Sequence, residues 1–286
     1  MEVIHVLQSV ASPTLDRLML LVTQLGSEQA YIVLLLIAYL GVDARIGRRL
    51  AVLFLAGFYL NEQLKALFHT PRPFTLEPGI VRSPGALATA QGNGFPSGHA
   101  QSSTTFWGLA AFYGRRAWLS ALAVVIVALV SFSRLYLGVH LPVDVVGGIV
   151  VGLALVGVGA AVETVRFEPG RAAVVLLGLG VPLAVHLLFP TPDSGVLMGA
   201  LAAFLVGPEL VRHATDGPWQ GRAALTLIGI VLVFGVQLGS GLLLADDVRH
   251  APLVAFARYL LVGLTGTVAV PALGRGLRLV AAPVDA

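Results

Sequence analysis

The sequence has 286 residues, of which 57% are hydrophobic and 12% are charged, and its mean hydropathy is +0.88. Soluble domains carry roughly 25% charged residues, so this composition excludes a soluble globular protein and predicts a protein of the lipid bilayer. The net charge is only +3 and no long basic run occurs, so nucleic acid is not expected as a partner. The chain has no cysteine, which excludes disulfides and thiolate metal sites.

The first apolar segment differs from those that follow it. Residues 12–26 place leucines and a methionine at helical spacing, with Ser12 or Thr14 as the N-cap and Gly26 at the end. This pattern predicts an amphipathic helix that lies in the membrane interface. Residues 1–26 lack the features of a signal peptide, so we expect them in the mature chain.

Longer apolar segments recur along the rest of the chain. The segments are residues 28–42, 47–67, 100–113, 117–132, 142–165, 172–189, 195–211, 223–245 and 253–273. The predicted fold class is therefore all-α, a polytopic membrane helical bundle of about nine spans with an N-terminal interfacial helix.

The distribution of arginine predicts the orientation of these spans. Arginines occur in every second connection, at residues 45–49, 115–116, 166–171, 212–222 and 275–278. By the positive-inside rule these connections face the cytoplasm, which makes the chain a multi-pass protein of the cell (plasma or inner) membrane. Four cations fall on the opposite, extracytoplasmic side against this rule: Lys65, Arg72, Arg82 and Arg134. Such charges need a partner, and an anionic ligand would supply one.

Three polar clusters lie on this extracytoplasmic side: residues 65–73, 96–99 and 133–144. Lys65, Arg72 and Arg134 can neutralise the oxygens of a phosphoryl group. Ser97 and Gly98 add backbone donors at a predicted helix start. Taken singly, each of these cations could instead be a structural residue at a helix end, but three clusters on one face favour a binding site.

Two histidines in these clusters are suited to phosphoryl chemistry. His140 and Asp144 are four residues apart at the start of a predicted helix, so the carboxylate can reach one imidazole nitrogen. A carboxylate that holds Nδ1–H leaves Nε2 free as a nucleophile. His99 would then be the acid that protonates the leaving oxygen.

The motifs Lys-x6-Arg-Pro, Pro-Ser-Gly-His and Ser-Arg-x5-His-x3-Asp, in this order, resemble the signature of the type 2 phosphatidic acid phosphatase superfamily. The resemblance implies that His140 forms a phosphohistidine, that Asp144 orients it and that His99 is the general acid. It also implies a phosphate site without a metal or a cofactor, formed by Lys65, Arg72, Ser97, Gly98 and Arg134.

The resemblance divides the chain into two predicted domains. Residues 1–168 are similar to the phosphatase core of the integral-membrane lipid phosphatase branch, and residues 169–286 add four spans of unassigned role. A Gly148-x3-Gly152 repeat in the core favours close helix packing within the bundle. No feature of the sequence assigns an oligomeric state.

The expected activity is hydrolysis of a lipid phosphate or diphosphate at the extracytoplasmic membrane face. Polyprenyl diphosphate, phosphatidate and phosphatidylglycerol phosphate are all compatible substrates. Two alternatives stay open: a phosphotransferase that uses the same intermediate, and a binder or translocator of lipid phosphates. A vanadate haloperoxidase, a further outcome in this superfamily, is disfavoured by the apolar composition.

Overall fold

The computed structural model describes residues 1–164 and 169–280, which form helices and connections without a β-strand. The first nine helices are α1 Glu2–Gln8, α2 Pro13–Gln24, α3 Glu28–Leu36, α4 Ala44–Phe68, α5 Pro73–Leu76, α6 Pro84–Ala88, α7 Gly98–Gly114, α8 Ala117–Tyr136 and α9 Pro142–Val162. The remaining helices are α10 Arg171–Leu188, α11 Ser194–Leu210, α12 Trp219–Leu243, α13 Asp246–Arg249, α14 Pro252–Leu264 and α15 Val270–Gly276. Short π-helical segments, Ile37–Val42 and Thr265–Ala269, follow α3 and α14.

Six helical segments of the described chain are long and apolar enough to cross a membrane. They are Ala44–Leu76, Ala117–Tyr136, Pro142–Val162, Arg171–Leu188, Trp219–Leu243 and Pro252–Gly276. A seventh is formed if the helices Pro13–Gln24 and Glu28–Val42, which are bent by 44°, count as one span. The all-helical multi-pass architecture is therefore confirmed.

The predicted count of nine spans is not confirmed. Each of the nine segments contains a helix, but α7 and α11 have only 17 residues each. About half of the residues of α7 and most of those of α11 are buried. Both helices are shorter than the roughly 20 residues that cross a bilayer, so the structure does not confirm them as full-length spans.

The N-terminal helix α2 begins as the sequence predicts. Ser12 is its N-cap, and the Ser12 hydroxyl accepts a hydrogen bond from the Leu15 amide at 3.3 Å. Met19 of this helix belongs to a buried apolar cluster with residues of α6 and the end of α8, among them Ala86 and Tyr136. The location of α2 in the membrane interface stays a prediction.

The chain divides into two compact units, and α4 contributes to both. The first unit comprises Met1–Tyr31 and Leu60–Val165, and the second comprises Ile32–Tyr59 and Arg166–Ala286. In the first unit, α7 packs against α8 and α9. The side chains of residues 101–105, Gln-Ser-Ser-Thr-Thr, are all buried there, so the polar part of α7 is enclosed by protein.

Close contact between α7 and α9 depends on the glycines of the predicted packing repeat. A Cβ atom on Gly148 would lie 2.5 Å from the carbonyl oxygen of Ser97, and one on Gly152 would lie 2.6 Å from Thr104 Cβ. Both distances are shorter than a van der Waals contact. The absence of a side chain at these positions lets α9 approach the N-terminal half of α7, where the second polar cluster begins.

The second unit has its own core around α11. Leu197, Met198, Leu201 and Ala202 of this helix form a buried cluster with Phe256 of α14. An ion pair supports the opposite end of α11: Arg48 Nη1 lies 3.1 Å from Glu209 Oε1. Arg48 Nη2 also donates to the Leu205 carbonyl oxygen at 2.9 Å. Arg48, one of the arginines in the predicted cytoplasmic connections, therefore has a structural role in this unit.

We predict that Gly152→Ala destabilises the first unit, because the added methyl group would overlap Thr104 and the carbonyl oxygen of Gln101. Overpacking of this kind costs about 1–3 kcal/mol. Gly157→Ala in the same helix is the matched control, since a Cβ atom there meets nothing within 4 Å. Thermal unfolding in detergent should show a lower midpoint for Gly152→Ala only. Equal midpoints for the two variants would contradict the packing described here.

Candidate active site

His140 lies in the turn between α8 and α9, and its imidazole has a partner on each side. Nδ1 is 3.3 Å from Asp144 Oδ2, and Nε2 is 3.1 Å from Arg72 Nη1. A guanidinium can only donate hydrogen bonds, so Nε2 must be the acceptor of this contact. The proton is therefore on Nδ1 and is donated to the carboxylate. The residue is 1% exposed, which protects this tautomer from water.

Asp144 connects the second and third clusters. It lies in the first turn of α9, where Oδ2 also accepts a hydrogen bond from the Leu141 amide at 2.8 Å. Its backbone carbonyl accepts from the Ser97 amide at 2.9 Å. The second carboxylate oxygen, Oδ1, is buried without a hydrogen-bond partner in the described chain. One residue thus caps α9, orients His140 and positions the Pro-Ser-Gly-His segment.

Arg72 is held by backbone carbonyl groups as well as by His140. Its Nε donates to the Gly92 oxygen at 2.8 Å, its Nη1 to the Val139 oxygen at 3.0 Å and its Nη2 to the Gln91 oxygen at 2.5 Å. The residue is 3% exposed. These bonds fix the guanidinium beside the imidazole and close the 69–98 connection onto the third cluster.

Other bonds attach the same connection to the first cluster. Thr70 accepts a hydrogen bond from the Gly94 amide at 2.9 Å through its carbonyl and one from the Phe95 amide at 2.7 Å through its hydroxyl. The side-chain amide of Asn93 donates to the Lys65 carbonyl oxygen at 2.9 Å. This connection is longer than most links between helices, and its residues form the hydrogen bonds that join the three clusters.

The Pro-Ser-Gly-His segment forms the beginning of α7, as predicted. Ser97 is the N-cap, and its hydroxyl accepts from the Ala100 amide at 3.5 Å. Gly98 is the first helical residue, so its amide is among those that lack a partner within the helix. His99 follows it, and its Nε2 is buried without a hydrogen-bond partner in the described residues. An unpartnered buried nitrogen at a helix start is a position where a ligand atom can bind.

Arg134 is in the last turn of α8 and is 0% exposed. Its Nη1 donates to the hydroxyl oxygens of Thr23 and Thr89, both at 2.8 Å. Its Nη2 donates to the carbonyl oxygen of Thr89 at 3.0 Å. No carboxylate of the described chain forms an ion pair with it. A fully buried guanidinium without a carboxylate partner can bind an anion.

The cationic residues act together on His140. Burial lowers the pKa of His140 well below its usual value, and the positive charges of Arg134, Arg72 and Lys65 lower this pKa further. His99 acts in the same direction. The imidazole is therefore neutral at neutral pH, as a nucleophilic nitrogen must be.

The structure brings the three clusters together within the first unit. The eight residues predicted for the site are His140, His99, Asp144, Lys65, Arg72, Ser97, Gly98 and Arg134, and all of them lie in Leu60–Val165. Direct contacts join Arg72, His140 and Asp144, and a backbone bond joins Asp144 to Ser97. Their roles in binding and chemistry stay predictions.

One cation predicted on the same face does not need a ligand. Arg82 makes two 3.1 Å contacts with Asp16, from Nε to Oδ1 and from Nη2 to Oδ2. Tyr136 donates its hydroxyl to the same carboxylate at 2.7 Å. The carboxylate raises the pKa of Arg82 and keeps it charged. The expectation that Arg82 needs an anionic ligand was therefore wrong, because α2 supplies its partner.

Several buried polar residues around the site were not predicted from the sequence. Asn61 Nδ2 is 2.7 Å from Gln101 Oε1 and 3.4 Å from the Pro96 carbonyl oxygen, so it links α4 to the start of α7. Thr23 and Thr89 hold Arg134. The run of five polar residues at 101–105 inside a predicted span was a usable signal for a polar interior. No comparable signal marks the threonines.

The all-helical fold with apolar membrane-spanning helices defines the chain as a multi-pass membrane protein, and its first unit contains a buried imidazole between a guanidinium and a carboxylate. Comparison with known proteins gives the family. Residues 47–167 match the PAP2 superfamily, and residues 193–283 match the PAP2 superfamily phosphatase, transmembrane extension. The two matches together cover roughly three quarters of the chain. The chain belongs to the PAP2 superfamily.

Curated relatives match the chain in part. It is 32% identical over 138 residues to sphingosine-1-phosphate phosphatase 2 of Mus musculus, a match that covers 46% of this chain and 38% of the relative. It is 30% identical over 141 residues to an undecaprenyl-diphosphatase of Sulfolobus acidocaldarius, which covers 49% of this chain and 66% of the relative. The chain thus spans between about a third and two thirds of the length of these relatives.

A solved structure supports the fold. The crystal structure of Aquifex aeolicus LpxE superimposes with a TM-score of 0.50 and covers 56% of this chain and 93% of the other chain. The sequence identity is 23%, so this likeness concerns the fold alone.

We predict that His140 takes up a proton only at a pH well below 6.5, the ordinary value for histidine, because burial and nearby cations disfavour the imidazolium. NMR of the protein with isotope-labelled histidine, with His140→Gln to assign the signal, measures this titration. Arg72→Gln should raise the midpoint, since it removes one positive charge beside Nε2. A midpoint near 6.5 or above in the unchanged protein would contradict this electrostatic picture.

Proposed function

We propose that this protein is a membrane lipid phosphatase that hydrolyses a lipid phosphate or diphosphate through a phosphohistidine at His140. The observation that carries the proposal is the pair of contacts on the buried imidazole, Asp144 at Nδ1 and Arg72 at Nε2. The carboxylate fixes the tautomer in which Nε2 has a lone pair. The cation beside Nε2 draws the anionic group of a substrate to that nitrogen.

The reaction has two steps. The lone pair of His140 Nε2 attacks phosphorus, the bond from phosphorus to the leaving oxygen breaks, and His99 donates a proton to that oxygen. Water then attacks the phosphohistidine, the P–N bond breaks and inorganic phosphate leaves. His99, now deprotonated, accepts a proton from the water in this second step. Asp144 stabilises the positive charge that His140 acquires in the first step.

Arg72 has to exchange partners for the first step to occur. In the unliganded protein its Nη1 occupies the lone pair of Nε2, so a substrate oxygen must take over that donor. We propose that the same N–H then binds a non-bridging oxygen of the phosphoryl group. The exchange places phosphorus next to the released lone pair and couples binding to activation of the nucleophile.

The remaining proposed site residues bind and neutralise the phosphoryl group. Lys65 and Arg134 supply positive charge, and Ser97 and Gly98 supply donors at the start of α7, where the helix dipole also favours an anion. These groups together can stabilise the charge of the transition state, so the proposal assigns neither a metal ion nor a cofactor.

The proposed substrate is a bilayer lipid with a terminal phosphate or diphosphate. The matched relatives are named for sphingosine-1-phosphate and undecaprenyl diphosphate, which share an apolar tail and an anionic end. Polyprenyl diphosphate, phosphatidate and phosphatidylglycerol phosphate fit the same description. We place the site on the extracytoplasmic face of the cell membrane in a bundle of about nine spans, with residues 1–168 as the phosphatase core and 169–286 as an accessory membrane region.

We predict that His140→Ala lowers phosphate release by more than about 1,000-fold. Without the nucleophile, Asp144 and His99 can no longer contribute to the reaction, because both act through the bond between His140 and phosphorus. Purified protein in detergent is tested with phosphatidate, phosphatidylglycerol phosphate, undecaprenyl diphosphate and sphingosine-1-phosphate. His250→Ala, at an exposed histidine, is the control and should keep full activity. Excess chelator should leave the rate unchanged, and vanadate should inhibit.

Three outcomes would count against this proposal. Full activity of His140→Ala would exclude this residue as the nucleophile. A requirement for added Mg²⁺ would contradict the metal-free mechanism. Phosphate transfer to an added acceptor lipid in preference to water would reassign the protein as a phosphotransferase.

A further inference from the structure

One residue that holds Arg134 lies outside the three clusters. Thr23 belongs to α2, upstream of residues 47–167 that match the PAP2 superfamily. Its hydroxyl oxygen accepts a hydrogen bond from Arg134 Nη1 at 2.8 Å. Like Arg134, Thr23 is 0% exposed. The first helices of the chain therefore reach a guanidinium that the proposed mechanism uses for phosphate.

Arg134 has acceptors for both protons of Nη1 but, within the described chain, none for the proton of Nε. Nη1 carries two protons, and it has two acceptors, the hydroxyl oxygens of Thr23 and Thr89. Nε, in contrast, is buried without a partner in the part of the chain that the structure describes. A buried N–H without an acceptor is costly, so this donor points to a ligand that is bound during function.

The Nε–Nη2 edge of the guanidinium is suited to bind a phosphoryl group. Nε and Nη2 of an arginine form an edge with two nearly parallel N–H groups, which can bind two oxygens of one anion. Nη2 uses one of its two protons for the carbonyl oxygen of Thr89, so one proton remains. If Nη1 lost its acceptors, the guanidinium could rotate and satisfy Nε with protein atoms instead.

We infer that Thr23 is a positioning residue for phosphate binding: it holds Nη1 of Arg134 so that the Nε–Nη2 edge is left for the phosphoryl group. The inference rests on the proposed function, in which Arg134 binds phosphate. It adds a residue of α2 to the site. It also gives the N-terminal segment a role in substrate recognition that acts through Arg134.

The turn after α2 makes a second, independent contact with the site. A Cβ atom on Gly26 would lie 3.0 Å from His99 Cδ2 and 2.8 Å from Val130 Cγ1. The backbone at Gly26 thus lies directly against the imidazole of the proposed general acid. Thr23 and Gly26 are three residues apart, so one short stretch of chain contacts two of the proposed site residues.

The test compares Thr23→Val with Thr23→Ser. Valine has the shape of threonine but cannot accept a hydrogen bond, whereas serine keeps the hydroxyl group. Calorimetry of the full-length protein in detergent measures the binding of orthovanadate, which mimics the transferred phosphoryl group. We expect about 10-fold weaker binding for Thr23→Val, because the guanidinium can then rotate and no longer holds its Nε–Nη2 edge ready for the anion. Thr23→Ser should bind close to the wild-type value.

Thr104→Val is the matched control. Thr104 is a buried threonine of the same unit, and its hydroxyl donates within α7, to the Ala100 carbonyl oxygen at 2.7 Å. Loss of that bond should leave vanadate binding unchanged. If Thr23→Val does not fold, as judged by thermal unfolding, Thr23→Ala replaces it, since the smaller side chain removes the acceptor without a possible clash.

The variants test the role of Thr23, whereas the wild-type protein tests the proposed function. Wild-type affinity in Thr23→Val would overturn the inference, and so would an equal loss of affinity in Thr23→Ser, since the hydroxyl would then not matter. A wild-type protein that neither binds vanadate nor releases phosphate from any of the four lipids would overturn the proposed function. Weaker binding in Thr23→Val alone would support the role of Thr23.

Discussion

The imidazole of His140, held between a carboxylate and a guanidinium, is the interaction on which the rest of the site depends. Asp144 lies at the start of α9 and Arg72 lies just after α4, so the two contacts fix the ends of two helices relative to the end of α8. A hydrogen-bond donor facing Nδ1, or an acceptor facing Nε2, would favour the other tautomer of His140. In that tautomer the proton is on Nε2, which then has no lone pair for attack. The burial of His140 keeps bulk water from supplying such a partner.

The long connection between α4 and α7 follows from the same requirement. Arg72 can reach His140 only if backbone carbonyl oxygens compensate its buried charge, and Gln91 and Gly92 supply two of them. The connection therefore begins at the first cluster and packs its residues 91 and 92 against Arg72. At its end, the Ser97 amide donates to the Asp144 carbonyl oxygen. In the proposed function, the cost of ordering this loop is offset by a pre-formed phosphate site.

The sequence predicted those parts of the structure that depend on local spacing. The contact between His140 and Asp144, four residues apart at a helix start, and the helix start at Pro-Ser-Gly-His could be predicted from helix geometry alone. The contacts of Thr23 with Arg134 and of Asp16 with Arg82 depend on where α2 packs, which no periodicity in the sequence specifies. The span count is not confirmed for a related reason: hydropathy does not distinguish a short apolar helix such as α11, with 17 residues, from one that crosses the bilayer.

The central claim is that His140 forms a covalent bond to phosphorus, and the most direct measurement is to trap that intermediate. Protein mixed with a ³²P-labelled lipid phosphate is quenched within the first turnover at alkaline pH, digested and analysed by mass spectrometry. The proposed mechanism predicts a label on His140 that is stable in base and lost in acid, as expected for a P–N bond. A label on another residue, or turnover without any labelled protein, would contradict it.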